Sequence, residues 1–299
     1  MGHEHGAHAD RRRLSIAIAT IACALVVQAI GAWVTGSLAL LADAGHMLSD
    51  LAGLGIALTA TIVAARPATD RQTFGYQRAE VFGALLNGFL LVAVTVTVAV
   101  GAIGRLLGDR PAHVDGGPML VVALIGLAAN IAVLLMLRPR SGGSINMRGA
   151  YLEVLGDVLG SLAVVVAAVV IVSTGLSQAD AIASLVIAVM IVPRAYLLLR
   201  DVVGVLSESA PAHTDVAVIR DHILATDGVV GVHDVHAWAI TSGAPVFSAH
   251  VVVEERALAD TGKLLDELSE CLADHFDVEH STFQLEPVEH AEHEDHRHR

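Results

Sequence analysis

Two pairs of ionisable residues repeat one four-residue spacing inside apolar stretches of this chain. His46 and Asp50 form the first pair, and Glu153 and Asp157 form the second. Because residues four apart lie on one face of an α-helix, each pair presents both side chains in the same direction. Ionisable side chains inside a membrane are costly and mark functional sites. One imidazole and three carboxylates therefore predict an intramembrane binding site for a divalent cation.

The ligand types narrow the choice of ion. Imidazole nitrogen suits zinc, cobalt, nickel and copper, whereas carboxylate oxygen accepts many divalent ions. A tetrahedral set of nitrogen and oxygen ligands matches the preference of Zn²⁺. Because metal binding requires neutral imidazole and ionised carboxylates, protons must leave before the ion enters. This competition predicts exchange of metal against protons, with His46 as the proton carrier.

The same residues also have a structural interpretation, in which they only hydrogen-bond between helices. Two pairs at one spacing in two apolar stretches disfavour it, because intramembrane charge is costly. Asp43 lies three residues before His46, on nearly the same face. Its position fits a role in supporting or admitting the ion and, equally, a simple place near the start of a helix.

Six apolar stretches are long enough to cross a membrane, which takes about 20 residues. Hydrophobic residues make up 54% of the chain. The predicted spans are 14–35, 38–64, 81–104, 117–137, 149–174 and 178–200. The predicted outer loops carry Arg105 and Arg110, whereas ten arginines flank the inner ends of the spans. By the positive-inside rule, we expect a multi-pass protein of the cell (inner) membrane with both termini in the cytoplasm.

Charge divides the chain into two parts. Residues 1–200 carry 13 arginines against 11 acidic residues, whereas residues 201–299 carry 5 basic residues against 20 acidic ones. Binding to nucleic acid requires a basic surface, so a nucleic-acid partner is not expected. The acidic C-terminal part either attracts cations or only keeps the protein soluble.

The C-terminal part has the pattern of a small α+β domain. Helical periodicity at 214–226 and 259–276, with Thr214 and Thr261 as caps, alternates with strand patterns. The strands are predicted at 229–240, 246–254 and 281–286. The order α-β-β-α-β predicts a sheet with helices on one face.

These patterns define four segments. The predicted domains are a histidine-containing cytoplasmic tail at 1–13, an all-α domain of six transmembrane helices at 14–204, a cytoplasmic metal-binding domain at 205–287, and a disordered tail rich in His and Glu at 288–299.

Four stretches together resemble the cation diffusion facilitator family, in its zinc-type branch. They are GSLALLADAGHMLSDLAGL (36–54), FGYQRAEVFGALLNG (74–88), NMRGAYLEVLGDVLGS (146–161) and GVHDVHAWAITSG (231–243). The resemblance runs in unbroken order from about residue 14 to residue 287. It implies a homodimeric metal/proton antiporter in a lipid membrane, with a metallochaperone-like cytoplasmic domain. Members mostly export zinc, and some export cadmium, cobalt or other divalent ions.

The resemblance also assigns residues. The transport site falls on His46, Asp50, Glu153 and Asp157, although the zinc branch usually has histidine at the position of Glu153. Arg78 and Glu208 match positions at which the family has a charge interlock, an ion pair near the membrane surface of the dimer. In the alternative interpretation, Arg78 only anchors an inner loop and Glu208 is only solvated. A cytoplasmic Zn²⁺ site is implied at His233, His250, His280 and Glu286, with His236 as a weaker candidate.

Two further function classes compete with transport. One alternative interprets Asp50 and Asp157 as an intramembrane aspartyl protease pair that shares a proton, but His46 and Glu153 would then have no role. A membrane-bound metal sensor would bind zinc in the soluble domain without moving it. The sequence has no GxxxxGK[ST] motif, so ATP-driven transport is not expected.

Overall fold

The computed structural model describes residues 4–108, 113–137, 145–211, 214–278 and 280–291. Within these ranges it describes the side chains of residue 16, residues 18–136 and all residues from 154 onward. The chain divides into two compact units, one of residues 1–56 and 86–198 and one of residues 57–85 and 199–299.

Six long apolar helices fill most of the chain and confirm the predicted all-α membrane domain. They are α1 (Glu4–Thr35), α2 (Leu38–Ala64), α3 (Ala79–Leu106), α4 (Gly116–Leu137), α5 (Ile145–Thr174) and α6 (Gln178–Leu206). Each is long and apolar enough to cross a membrane. Helix α1 begins inside the segment predicted as a tail, and α6 continues six residues past its predicted end.

The turn between α1 and α2 is held by a buried carboxylate from α6. Gly36 has a φ of 68°, which glycine adopts without steric cost. The Asp180 carboxylate, fully buried, accepts hydrogen bonds from the Ser37 hydroxyl at 2.5 Å and from the backbone N–H of Leu38 at 2.8 Å. It also accepts from the backbone N–H of Ala39 at 3.1 Å and pairs with the Arg105 guanidinium at 2.9 Å, which in turn donates to the Gly36 carbonyl. Asp180 therefore caps α2 and fixes where this helix begins.

Small residues bring α2 close to its neighbours. A Cβ atom on Gly45 would lie 2.4 Å from a methyl group of Val94 on α3, so only glycine fits this contact. The adjacent core contains Leu40 from α2, Val164 from α5 and Ile187 from α6, all buried. This close approach at Gly45 positions the helix face that carries His46.

The C-terminal part is the α+β domain that the sequence predicts. Its elements are α7 (Val216–Leu224), β1 (Val229–Ala239), β2 (Pro245–Val253), α8 (Thr261–Phe276), β3 (His280–Pro287) and the short α9 (Val288–Ala291). Strands β1 and β2 form the predicted antiparallel hairpin, and β3 pairs in parallel with β2. Helix α9 occupies the start of the segment predicted to be disordered, and residues 292–299 lie outside the described residues.

Both predicted helix caps are wrong by one residue. The side chain of Asp215, not Thr214, accepts from the N–H groups of Ala217 and Val218 at the start of α7. The side chain of Asp260, not Thr261, accepts from Lys263 N–H at the start of α8. In both cases the aspartate is the residue in the capping position, and its carboxylate also interacts well with the helix dipole.

The two faces of the sheet have different chemistry. Alternate residues of β2, including Phe247 and Val251, are buried against Leu268 of α8 and the rest of the helical layer. Because successive strand residues point to opposite faces, His250 belongs to the face away from these helices. Its register partner on β1 is His233, so two imidazoles lie side by side there.

Asp180→Asn should destabilise the helical unit, because it leaves the Arg105 charge without an anionic partner. We expect a loss of about 3–5 kcal/mol, since removing one member of a buried ion pair leaves the other charge uncompensated. Thermal unfolding of the purified protein in detergent measures it. Asp201→Asn is the matched control, since the ion pair of Asp201 with Arg200 is exposed. Equal melting temperatures for the two variants would contradict the capping role.

Candidate metal sites

Three of the predicted ligands meet between α2 and α5. His46 Nε2 lies 2.8 Å from Asp157 Oδ1 and 3.6 Å from Asp50 Oδ2. One ligand atom from each of the three residues lies within 4.8 Å of the others, a spacing at which one ion contacts all three. The side chains of His46, Asp50 and Asp157 are 13%, 18% and 12% exposed. The structure thus brings a nitrogen and two carboxylates together at a mostly buried point.

The fourth predicted ligand is described only in its backbone. Glu153 lies on α5, four residues before Asp157, and its side chain is outside the described part of the chain. Because the two residues are about one turn apart, they share a helix face. Glu153 therefore stays a predicted ligand.

An arginine that the sequence analysis did not single out also reaches this site. Arg194 of α6 lies 2.8 Å from Asp50 Oδ1 through Nη2, and its Nη1 is 3.4 Å from His46 Nε2. The signal was present in the sequence, because a lone arginine inside an apolar span is a functional-site candidate. However, α6 carries no pair of charged or histidine residues at the four-residue spacing seen in α2 and α5, so the sequence analysis did not connect it with the site.

Asp43 is linked to the ligand helix by a hydroxyl. Its carboxylate is buried and accepts a hydrogen bond of 2.9 Å from Ser161 Oγ on α5. Asn130 of α4 donates to the same Ser161 oxygen at 2.9 Å and lies 3.5 Å from the carbonyl oxygen of Asp157. Asp43 thus lies in a polar chain beside the ligands. Its role in supporting or admitting the ion stays a prediction.

A cavity of about 300 Å³ opens beside these residues. Asp43, His46, Asp157 and Arg194 line its polar part. A Cβ atom on Gly156 would meet no described atom within 4 Å, so this glycine borders open space and not a closely packed helix. The absence of a side chain at Gly156 therefore leaves room next to the ligands.

A second cluster lies on the sheet of the C-terminal domain. The Glu286 carboxylate lies between two imidazoles, with its Oε2 3.2 Å from His233 Nε2 and its Oε1 2.7 Å from His250 Nδ1. Gln284 donates to the same carboxylate at 2.7 Å, and Asp234 lies 2.8 Å from the other nitrogen of His233. Hydrogen bonds of this kind orient metal ligands and fix the tautomer of a ligating histidine. Two nitrogens and a carboxylate suit Zn²⁺ and related ions.

His280 is not part of this cluster. It starts β3 and pairs in register with Val246, whereas Glu286 pairs with Val252. Six strand residues separate the two, which is roughly 20 Å at 3.3 Å per residue. The ring of His280 instead lies 6.5 Å from that of Phe74. The family resemblance grouped His280 with Glu286, but in this chain the two residues lie at opposite ends of β3.

His236 is also apart from the cluster. The pairing of β1 with β2 is irregular between His233 and His236, and Asp234 has a φ of 47°. This bulge breaks the regular alternation of side chains between His233 and His236. His236 lines a separate cavity of about 770 Å³, together with Arg78 and Glu208.

The proposed interlock residues form an exposed ion pair. Arg78 Nη2 lies 3.5 Å from Glu208 Oε1, and their side chains are 42% and 64% exposed. An exposed pair contributes about 0–1 kcal/mol to stability. The contact joins two residues of one chain, so a role between protomers stays a prediction.

Two family models match the chain. One is described as the cation efflux transmembrane domain and matches residues 14–207. The other is described as the cytoplasmic domain of cation efflux proteins and matches residues 211–288. The two matches follow each other along the chain and correspond to the helical part and the α+β part.

Curated relatives match along nearly their full length. The metal cation efflux system protein CzcD of Cupriavidus metallidurans is 40% identical over 97% of this chain and 92% of its own. A cadmium, cobalt and zinc/H(+)-K(+) antiporter of Bacillus subtilis is 36% identical, with 97% and 93% covered. The zinc transporter ZitB of Escherichia coli is 40% identical, with 93% and 88% covered. A solved structure, the metal-bound C-terminal domain of the CzcD transporter from Cupriavidus metallidurans, is 44% identical over 24% of this chain and 99% of that domain, with a TM-score of 0.23.

Glu286→Gln should weaken divalent metal binding at the sheet, because it replaces an anionic ligand that contacts both imidazoles. We expect the Kd for Zn²⁺ to rise by at least about tenfold. Mutating even a group that only hydrogen-bonds to a metal ligand typically lowers metal affinity by about 10- to 100-fold. Titration calorimetry on the full chain measures it, in a background of Asp50→Asn and Asp157→Asn that disables the other cluster. Glu289→Gln, at an exposed position on α9, is the control. Unchanged affinity after Glu286→Gln would remove this cluster as a metal site.

Proposed function

This chain belongs to the cation diffusion facilitator family, and on that premise we propose that it exports Zn²⁺ from the cytoplasm in exchange for protons. Membership makes it a multi-pass membrane transporter for divalent metal cations and not an enzyme. The interpretation of Asp50 and Asp157 as a protease pair is therefore wrong. The proposal concerns the ion, the exchanged particle and the residues that perform the exchange.

One contact carries the proposal. His46 Nε2 lies 2.8 Å from Asp157 Oδ1 and 3.6 Å from Asp50 Oδ2, so a proton on this nitrogen is stabilised by the adjacent carboxylates. A metal ion needs that nitrogen unprotonated and those oxygens ionised. Protonation of His46 and metal binding therefore exclude each other. Alternating exposure of such a site to the two sides of a membrane couples metal export to proton entry.

The ligand set supports zinc as the main cargo. We assign His46, Asp50, Glu153 and Asp157 as the four ligands, three of which lie within binding distance of one ion. Imidazole together with carboxylates suits Zn²⁺, Co²⁺ and related ions better than Mg²⁺ or Ca²⁺. Relatives described as a zinc transporter and as a cadmium, cobalt and zinc antiporter agree with this chemistry.

The soluble part supports a regulatory or stabilising metal site in a homodimer. We propose a cytoplasmic ion held by His233, His250 and Glu286, with both chain termini in the cytoplasm of an inner-membrane protein. The arginine distribution and the match to a cytoplasmic-domain model favour this orientation. In this proposal the domain at 205–287 joins two protomers, and the pair of Arg78 and Glu208 lies at their membrane-proximal side.

Asp157→Asn should stop metal export, because it removes an anionic ligand and the partner of His46. In proteoliposomes loaded with a zinc-sensitive dye, we expect initial Zn²⁺ flux driven by a pH gradient to fall by at least about tenfold. Asp201→Asn, the same change at an exposed site of α6, should leave the flux unchanged. Dissipating the pH gradient should also stop flux through the unmodified chain.

The outcomes of that experiment separate the alternatives. Flux that persists without a pH gradient would contradict proton exchange but not metal export. Zinc binding without flux, in the unmodified chain and in Asp157→Asn alike, would indicate a sensor. Flux that survives Asp157→Asn would contradict the assigned ligands.

Glu153→His should preserve transport but change its metal ranking or its pH profile. The substitution replaces a hard anionic donor by a softer neutral one, so ions that favour nitrogen ligands gain relative to the others. Initial rates for Zn²⁺, Cd²⁺ and Co²⁺ at several pH values measure the change. Glu255→His, on an exposed position of the soluble domain, is the control. Complete loss of transport, or an identical ranking and pH profile, would contradict Glu153 as a ligand.

A further inference from the structure

We propose that Arg194 is a tethered cation that occupies the metal-free transport site and must leave it before a divalent ion binds. The inference rests on the proposed function, because it takes Asp50, His46 and Asp157 as cargo ligands. It adds a residue from a third helix, α6, to the pairs on α2 and α5. Arg194 would then help to set the affinity of the site.

The guanidinium is in contact with atoms that the ion needs. Its Nη2 lies 2.8 Å from Asp50 Oδ1, and its Nη1 lies 3.4 Å from His46 Nε2. A divalent ion bound to these residues would lie within a few ångströms of a positive charge in a medium of low dielectric constant, where such repulsion is strong. Guanidinium and metal therefore compete for the same position.

The contact also gives the buried carboxylate of Asp50 a positively charged partner. Asp50 and Asp157 are both less than one-fifth exposed, and each needs a positive or hydrogen-bonding partner in a membrane. Arginine stays charged at all physiological pH values and contacts a carboxylate in a fixed geometry. Arg194 therefore stabilises the carboxylate of Asp50 while the metal is absent.

The surroundings of Arg194 give it room to move. Its side chain is 37% exposed, which is about twice the exposure of Asp50, and it lines the cavity of about 300 Å³ beside the ligands. The residue before it, Pro193, lies inside α6. Because proline has no N–H group, α6 lacks one backbone hydrogen bond at this point. Arg194 thus directly follows a position at which its helix lacks a backbone hydrogen bond.

A second arginine on α6 shows the contrast. Arg200 pairs with the adjacent Asp201 at 3.1 Å, and both side chains are more than half exposed. It has the environment of an ordinary charged residue near the end of a span. The same substitution at Arg200 is therefore a matched control for Arg194.

The test compares transport by the two arginine variants. A competitor that must leave first lowers the apparent affinity by the fraction of molecules from which it has left. Arg194→Gln should therefore lower the KM for Zn²⁺ by about three- to tenfold, which corresponds to an ion pair of about 1 kcal/mol. The KM for Cd²⁺ should fall as well, since the guanidinium competes with any divalent ion. Arg200→Gln should leave both values unchanged.

A second measurement uses the unmodified chain, so the test does not depend on how the variant folds. Phenylglyoxal modifies accessible guanidinium groups, and mass spectrometry quantifies its attachment at Arg194 in detergent-solubilised protein. We expect Zn²⁺ to increase this modification, because the metal displaces Arg194 from Asp50. Modification of Arg200 should not depend on metal.

The outcomes distinguish the two levels of proposal. If the unmodified chain transports Zn²⁺ but Arg194→Gln leaves KM unchanged or raises it, the role of Arg194 is refuted and the transport proposal stands. Modification of Arg194 that stays equal or falls with Zn²⁺ refutes the role as well. If the unmodified chain moves no metal, the proposed function fails, and this inference fails with it.

Discussion

A carboxylate in the apolar interior of a helix bundle requires a positive or hydrogen-donating group beside it. This requirement constrains how several of the six long helices contact each other. Asp157 lies against His46, Asp50 against Arg194, and Asp180 against Arg105. Each pair joins two different helices, so satisfying the charge also fixes how the helices meet. The cost of an unpaired charge in a medium of low dielectric constant makes these contacts stronger constraints than ordinary apolar packing.

Helix α6 has two electrostatic functions. At its start, Asp180 caps α2 and holds the turn at Gly36. Farther along the helix, Arg194 reaches the residues that α2 and α5 contribute. The first contact is fully buried and made of several hydrogen bonds, whereas the second is partly exposed and borders a cavity. In the proposed role of Arg194, the contacts of Asp180 keep the start of α2 fixed while Arg194 leaves the site.

The sheet of the C-terminal domain also places polar partners beside a buried carboxylate, but these partners come from neighbouring strands. Glu286 is almost fully buried and lies between His233 and His250. Parallel pairing of β3 with β2 brings Glu286 next to the two imidazoles, and the bulge at Asp234 places a second carboxylate beside His233. A three-stranded sheet thus gathers polar residues on the face away from its helices, whereas the bundle gathers them on facing helix surfaces.

The sequence alone determined the elements and the local grouping of ligands. Six apolar stretches and the order α-β-β-α-β predicted the architecture, because periodicity and length are properties of local segments. The spacing of His46 with Asp50 likewise required only the geometry of a helix. Tertiary structure decided which distant residues meet. It brought Arg194 to Asp50 from a helix with no matching motif, and it placed Asp43 next to Ser161. Such contacts depend on the packing of elements far apart in the chain, and local patterns carry no information about that packing.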